Sequence, residues 1–227
     1  MGDAKIVGIA EYEGGIYDEN GLDVEAVVRH RNESGSILEF SGATNYTDSA
    51  QLLEADCDIL VPAALENQIT AKNAGDIQAK VIAEAANGPV DSDANQILLD
   101  RGKLIIPDVF INAGGVTVSY FEWLKNLSHV GFERMTTGYE SESNKRILAT
   151  IEDMTGRKAD AEQHALFTAG PSEQDIVRAA LGESMSSAAI HLEKTRIDRK
   201  LPDLRTAAFS YAIDKVAKTY LDLGIFP

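Results

Sequence analysis

Residues 79–115 read AKVIAEAANGPVDSDANQILLDRGKLIIPDVFINAGG, and their order decides the fold class. Two apolar runs, AKVIAEAA (79–86) and KLIIP (103–107), flank the helix-like segment SDANQILLD (92–100). Asp91 or Ser92 opens that helix and Gly102 stops it. The apolar runs are continuous rather than alternating, as in strands covered on both faces. Strand, helix and strand in this order give a parallel sheet with a right-handed crossover.

The pattern extends upstream. KIVGIA (5–10) and DILVPA (58–63) are further strand candidates. Asp23 opens the helix DVEAVVRHR, and Thr47 or Asp48 opens DSAQLLEA. Downstream of about Gly114 the strand signal stops. GVTVSYFEWLKNL begins a long helix after the Gly114-Gly115 pair. SESNKRILATIEDMTG is a second, and PSEQDIVRAALGESMSSAAIHLEK a third, with Pro171 and Ser172 at its start. PDLRTAAFSYAIDKVAKTYLDLG is the last; Leu204, Ala208, Tyr211, Lys215 and Val216 drift along one face, where Lys215 departs from an apolar stripe. Gly156, Gly170 and Pro171 mark breaks. The fold expected is α/β, with a parallel sheet followed by an all-helical C-terminal region.

Composition narrows the function. The 227 residues carry a net charge of −15 and no Lys/Arg cluster, which argues against nucleic acid as a partner. No stretch is long and apolar enough to span a membrane, and the first residues show no basic-then-apolar signal pattern. Cys57 is the single cysteine, so no intrachain disulfide forms and a reducing compartment fits. It reads as a small buried residue, since no His or Lys stands beside it. His30, His129, His164 and His191 are scattered without metal-ligand spacing, so no metal is expected.

Three places could carry chemistry. KIVGIA ends at Glu11; an acid there can accept hydrogen bonds from an adenosine ribose and repel a 2′-phosphate. Spacing alone favours the plainer reading of a solvated turn acid. Asn87 and Asn112 each follow a strand's carboxyl end, where open parallel sheets bind ligands. An amide offers both donor and acceptor, matching a carboxamide or a ribose. Gly114-Gly115 clears room for a flat ring, and Ser119 falls early in the following helix, where a hydroxyl can face an anion. Turn residues and a plain helix start explain the same spacing. The G-x-G-x-x-G turn of a dinucleotide fold is not found upstream of Lys5, and Gly14-Gly15 does not have its spacing.

AEYEGGIYDENGLD, LEADCDILVPAALENQIT, VIAEAANGP, IPDVFINAGGVTVSYFEWLKNL and DLRTAAFSYAIDKV together resemble the glutamate dehydrogenase family, over essentially the whole chain. The resemblance implies an incomplete Rossmann-like sheet. Residues 1–112 would be a truncated dinucleotide-binding domain. Residues 113–227 would hold a pivot helix, a short antenna-like helical insertion and the C-terminal helices. It implies NAD as cofactor, with NADP possible, and glutamate and 2-oxoglutarate as the small-molecule partners. Glu11 matches the ribose-binding acid. Ala63 and Ala64 match backbone positions along the nicotinamide ribose. Asn87 and Asn112 match the asparagines on the nicotinamide side, and Ser119 matches a serine that contacts the substrate carboxylate.

The resemblance also implies that the substrate domain with its catalytic lysines, and the first βαβ unit with its glycine fingerprint, are not among these residues. The missing strand would lie between KIVGIA and DILVPA, leaving unpaired edges and a core gap. The chain alone is therefore expected to bind NAD weakly and to turn over no glutamate. In the family the assembly is a hexamer, and in the branch resembling the animal enzymes an antenna rises from each trimer. GFERMTTGYESESNK and PSEQDIVRAAL resemble the antenna's flanks, with a shorter segment between them. The compartment implied is the cytoplasm, or the mitochondrial matrix in a eukaryote. The alternatives are a non-catalytic oligomerising or cofactor-binding relative, or another amino-acid dehydrogenase of the same family.

Overall fold

The computed structural model describes residues 4–128, 132–169 and 172–224. They form two compact units, residues 1–112 with 195–227, and residues 113–194.

The first unit opens with a meander. β1 (Gly8–Glu11) pairs antiparallel with β2 (Gly14–Tyr17). α1 (Val24–Ser34) follows, capped by the Asp23 carboxylate on the Ala26 N–H. β3 (Thr44–Tyr46) then returns antiparallel to β2. KIVGIA was expected in the parallel sheet, and the structure corrects this. Only Tyr12 and Glu13 separate β1 from β2, and a loop that short joins antiparallel strands only. Gly14 and Gly15 serve this packing. A Cβ on Gly14 would stand 2.3 Å from the Tyr46 carbonyl oxygen, and one on Gly15 would stand 2.9 Å from Leu52 Cδ2. Ile16, Val27 and Ile37 form the small core of this part. α2 (Ala50–Leu53) starts at Ser49 rather than at Thr47 or Asp48, although the Asp48 carboxylate accepts from the Ala50 N–H.

The second sheet is parallel, as expected. β4 (Ile59–Leu60), β5 (Val81–Ala83) and β6 (Leu104–Ile106) lie in that order, with Ile59 opposite Val81 and Ile82 opposite Ile105. Between β5 and β6 runs α3 (Ser92–Asp100), capped by Asp91 on the Ala94 N–H. It ends at Gly102, whose φ of 71° suits the left-handed region. Ile69, Ile77, Ile82, Leu98 and Ile105 are buried between sheet and helix. Each such side chain contributes about 1.5–3 kcal/mol of hydrophobic stabilisation. Among the described residues no strand joins β1 to β4, and Ile59 and Val61 are more than half exposed on that edge. After β6 comes the single turn α4 (Asp108–Ile111).

The second unit is helical. It contains α5 (Ala113–Ser128), α6 (Phe132–Thr155), α7 (Ala161–Thr168) and most of α8 (Glu173–Asp198). α6 stops at Gly156, with φ 66°. α7 was not anticipated; it starts with a capping box in which Asp160 and Gln163 satisfy each other's backbone N–H groups. Ser172 and Asp175 exchange similar hydrogen bonds at the head of α8. Gly170, Pro171 and His129 lie outside the described residues.

α9 (Leu204–Leu223) belongs to the first unit. Asp203 caps it through the Thr206 N–H. Buried Ala207 and Ala208 let its first turns sit close to the parallel sheet. Lys215 stands 4.9 Å above the Tyr211 ring, which explains its place near an apolar stripe. No helix among the described residues is long and apolar enough to cross a membrane.

Candidate functional site

The carboxyl edge of the parallel sheet gathers most of the candidates. Beyond β4, the carbonyl of buried Pro62 accepts hydrogen bonds from the Ala85 and Ala86 N–H groups, at 3.1 and 2.9 Å. This extends the β4–β5 pairing up to Ala63 and Ala64, which are exposed. Beyond β5, Glu84 N–H donates to the Ile106 carbonyl and leads to Asn87. Beyond β6, α4 leads to Asn112, whose N–H closes the turn on Asp108 O at 2.8 Å. Three adjacent strands thus deliver Ala63, Ala64, Asn87 and Asn112 to one edge.

Asn87 and Asn112 meet directly. Asn112 Nδ2 donates to Asn87 Oδ1 at 2.9 Å and to Ala86 O at 3.3 Å. Among the described residues, Asn87 Nδ2 and Asn112 Oδ1 keep a donor and an acceptor without a partner. That pair matches a carboxamide, which presents one of each. The loop that carries Asn87 is braced by the segment 67–69. Asn67 N–H donates to Gly88 O and Ile69 N–H to Pro89 O, while Gly88 takes φ 56°, where a side chain would be strained.

A charged cluster lies behind this edge, and sequence reading missed it. Glu84 is fully buried. Arg205 Nη2 donates to both its oxygens at 2.6 and 2.7 Å, and the Asp108 N–H adds a third bond at 2.9 Å. Arg205 Nη1 reaches Asp108 Oδ1 at 3.1 Å, and Asp108 Oδ2 accepts from Gly88 N–H at 2.8 Å. Arg205 Nε faces Asn95 Oδ1 at 3.4 Å. The available signal was a glutamate inside the apolar run VIAEAA, because a buried carboxylate requires a cation.

Glu11 and Ser119 are placed differently. Glu11 ends β1 in the antiparallel sheet, and its carboxylate lies 3.4 Å from Arg31 Nε. Ser119 lies in the second unit as the seventh residue of α5, past the free N–H groups of the first turn. Its hydroxyl donates to Val116 O at 2.9 Å. Cys57 sits before β4, at the opposite end of the strand from Ala63. Burial, together with the carboxylates of Asp56 and Asp58, pushes its thiol above the usual range. His30 Nε2–H donates to Leu38 O at 2.8 Å and the ring packs edge-on against Phe40, a structural role.

Comparison with known proteins shows the family. The sequence pattern of the Glutamate/Leucine/Phenylalanine/Valine dehydrogenase family matches residues 1–170. The mitochondrial glutamate dehydrogenase of Dictyostelium discoideum is 47% identical over 221 residues, 97% of this chain and 44% of that protein. A catabolic NAD-specific glutamate dehydrogenase of Bacillus subtilis is 51% identical over 123 residues, 54% of this chain and 28% of that one. In structure, the hetero-hexameric glutamate dehydrogenase of Thermus thermophilus superposes with a TM-score of 0.72 at 22% identity, over 98% of this chain and 42% of that one. The likeness in structure shows the fold. The chain spans less than half the length of these relatives.

Proposed function

The chain belongs to the Glutamate/Leucine/Phenylalanine/Valine dehydrogenase family, and we propose that it supplies the nicotinamide-facing part of an NAD-dependent glutamate dehydrogenase. The overall reaction is oxidative deamination of glutamate to 2-oxoglutarate and ammonia. The bound dinucleotide supplies the hydride acceptor.

The observation that carries this reading is the Asn87–Asn112 pair at the carboxyl edge of the parallel sheet. Asn87 Nδ2 and Asn112 Oδ1 hold the carboxamide and so fix which face of the ring is presented. Ala63 and Ala64 line the ribose beside it with backbone and small side chains. Glu11 takes the adenosine ribose hydroxyls. Ser119 binds the substrate carboxylate after its hydroxyl turns away from Val116 O. Relatives named as NAD-specific support NAD over NADP. Residues 1–112 act as the cofactor portion. Residues 113–227 act as pivot helix, antenna-like insertion and assembly helices in a homo-hexamer, in a cytoplasmic or mitochondrial-matrix setting.

A chimera tests the proposal. The matching part of the Dictyostelium enzyme, 47% identical over 221 residues, is replaced by this chain. NAD-dependent oxidation of glutamate, with leucine a poor substrate, supports the reading. A folded chimera that oxidises neither, or prefers leucine, overturns it.

A further inference from the structure

Two carboxylates and one guanidinium stand directly behind the Asn87–Asn112 edge. Glu84 is buried completely, and the Arg205 and Asp108 side chains are about three-quarters buried or more. Charge in such a place is not needed for packing, since an apolar group of the same shape fills space as well. What the charges add is direction. Glu84 lies three residues before Asn87, on the end of β5. Asp108 lies four residues before Asn112, at the head of α4. Each carboxylate is held by the same guanidinium. Each also binds across to the other segment: Glu84 accepts from the Asp108 N–H, and Asp108 accepts from the Gly88 N–H.

The two loops that carry the asparagines are therefore referenced to one atom group on α9, 97 and 121 residues away in sequence. Without the guanidinium, Glu84 and Asp108 would face each other as two like charges in a partly dry space. Their repulsion would act on the two segments that carry Asn87 and Asn112.

We propose that Arg205 is a positioning residue for the nicotinamide carboxamide, holding Asn87 and Asn112 at a fixed distance through Glu84 and Asp108 without touching the ligand. This rests on the assignment of Asn87 and Asn112 to the nicotinamide side.

The test compares NAD with ADP-ribose, which lacks the nicotinamide ring, as ligands of the full chain. Chemical-shift titration reads both affinities even when they are weak. In the unsubstituted protein NAD binds more tightly than ADP-ribose. Arg205→Lys keeps a cation but loses the fork. It is expected to cut NAD affinity about tenfold, the worth of roughly one hydrogen bond. ADP-ribose affinity stays within about twofold of the starting value on the same scale. A merely structural role would lower both together.

If Arg205→Lys keeps the NAD advantage, the proposal is wrong while the cofactor assignment stands. If the unsubstituted protein shows no NAD advantage, the cofactor assignment fails and the proposal falls with it. If Arg205→Lys loses both ligands, the combined change Glu84→Gln, Asp108→Asn and Arg205→Met decides, because it strands no full charge in the cluster. Loss of the NAD advantage with ADP-ribose binding intact supports the proposal; retention of the advantage overturns it.

Discussion

Asn112 donates from Nδ2 to Asn87 Oδ1 at 2.9 Å, joining two loops that are 25 residues apart in sequence. The contact orients both amides, so one donor and one acceptor remain for a ligand. Asn112→Asp removes the donor and sets a carboxylate against Asn87 Oδ1. Asn87 must then turn its amide around, which leaves two acceptors and no donor facing a carboxamide. NAD affinity is expected to fall by about tenfold or more, as for a lost hydrogen bond beside a charge. Calorimetric titration checks this; an unchanged affinity contradicts it.

The buried Glu84–Arg205 pair also has a stability consequence. Glu84→Ala leaves the guanidinium without its main partner in a partly buried site. Removing one member of such a pair costs about 3–5 kcal/mol. Replacing both members with apolar residues is expected to cost less than the single change. Urea unfolding of the two variants measures the difference, and equal losses would count against the pairing.

On the proposed role of Glu11 at the adenosine ribose, Arg31, whose Nε lies 3.4 Å from the Glu11 carboxylate, is expected to tune cofactor preference. In that role Glu11 would repel a 2′-phosphate, and Arg31 would offset the repulsion. Arg31→Ala should therefore raise the preference for NAD over NADP. Both side chains are partly exposed, so the effect is small, about 0.2–1 kcal/mol or at most roughly fivefold. The ratio of the two dissociation constants reads it, and a shift toward NADP would rule it out.

Cys57 gives a pH dependence. Burial first, then the charges of Asp56 and Asp58, raise its folded pKa. The folded state thus favours the neutral thiol. Its contribution to stability is complete below the unfolded thiol pKa and is lost as pH rises through the folded value. Cys57→Ser should flatten the alkaline loss of stability, seen in thermal unfolding from neutral to alkaline pH. Alkylation of native Cys57 at neutral pH should be slower than that of a free thiol.

The parallel sheet was legible because β5, α3 and β6 each carry a local signal: continuous apolar runs, the Asp91 cap and the Gly102 stop. That Asn87 and Asn112 come to one edge was legible for the same reason, since Asn87 follows the first run at once and Asn112 follows the second after the turn α4. β1 was read as a strand but placed in the wrong sheet, because its pairing depends on the two-residue loop at Tyr12 and Glu13. β2 is three buried residues and half-buried Tyr17, too short for any period to register. Arg205 was invisible for a different reason. Its partners lie about a hundred residues away, and no local pattern encodes such a contact.

The 227 residues by themselves are expected to produce no NADH from glutamate. They contain no G-x-G-x-x-G turn of the expected kind, and the β4 edge leaves Ile59 and Val61 uncovered. A spectrophotometric assay of the purified chain checks this, and turnover at the rate of a complete glutamate dehydrogenase would refute it.

One titration of the isotopically labelled chain tests the assignment of Asn87 and Asn112 most directly. NAD and ADP-ribose are added separately while the side-chain amide signals of Asn87 and Asn112 are followed. The predicted result is a shift of both signals with NAD and of neither with ADP-ribose. Equal shifts with both ligands, or NAD shifts confined to other residues, would contradict it.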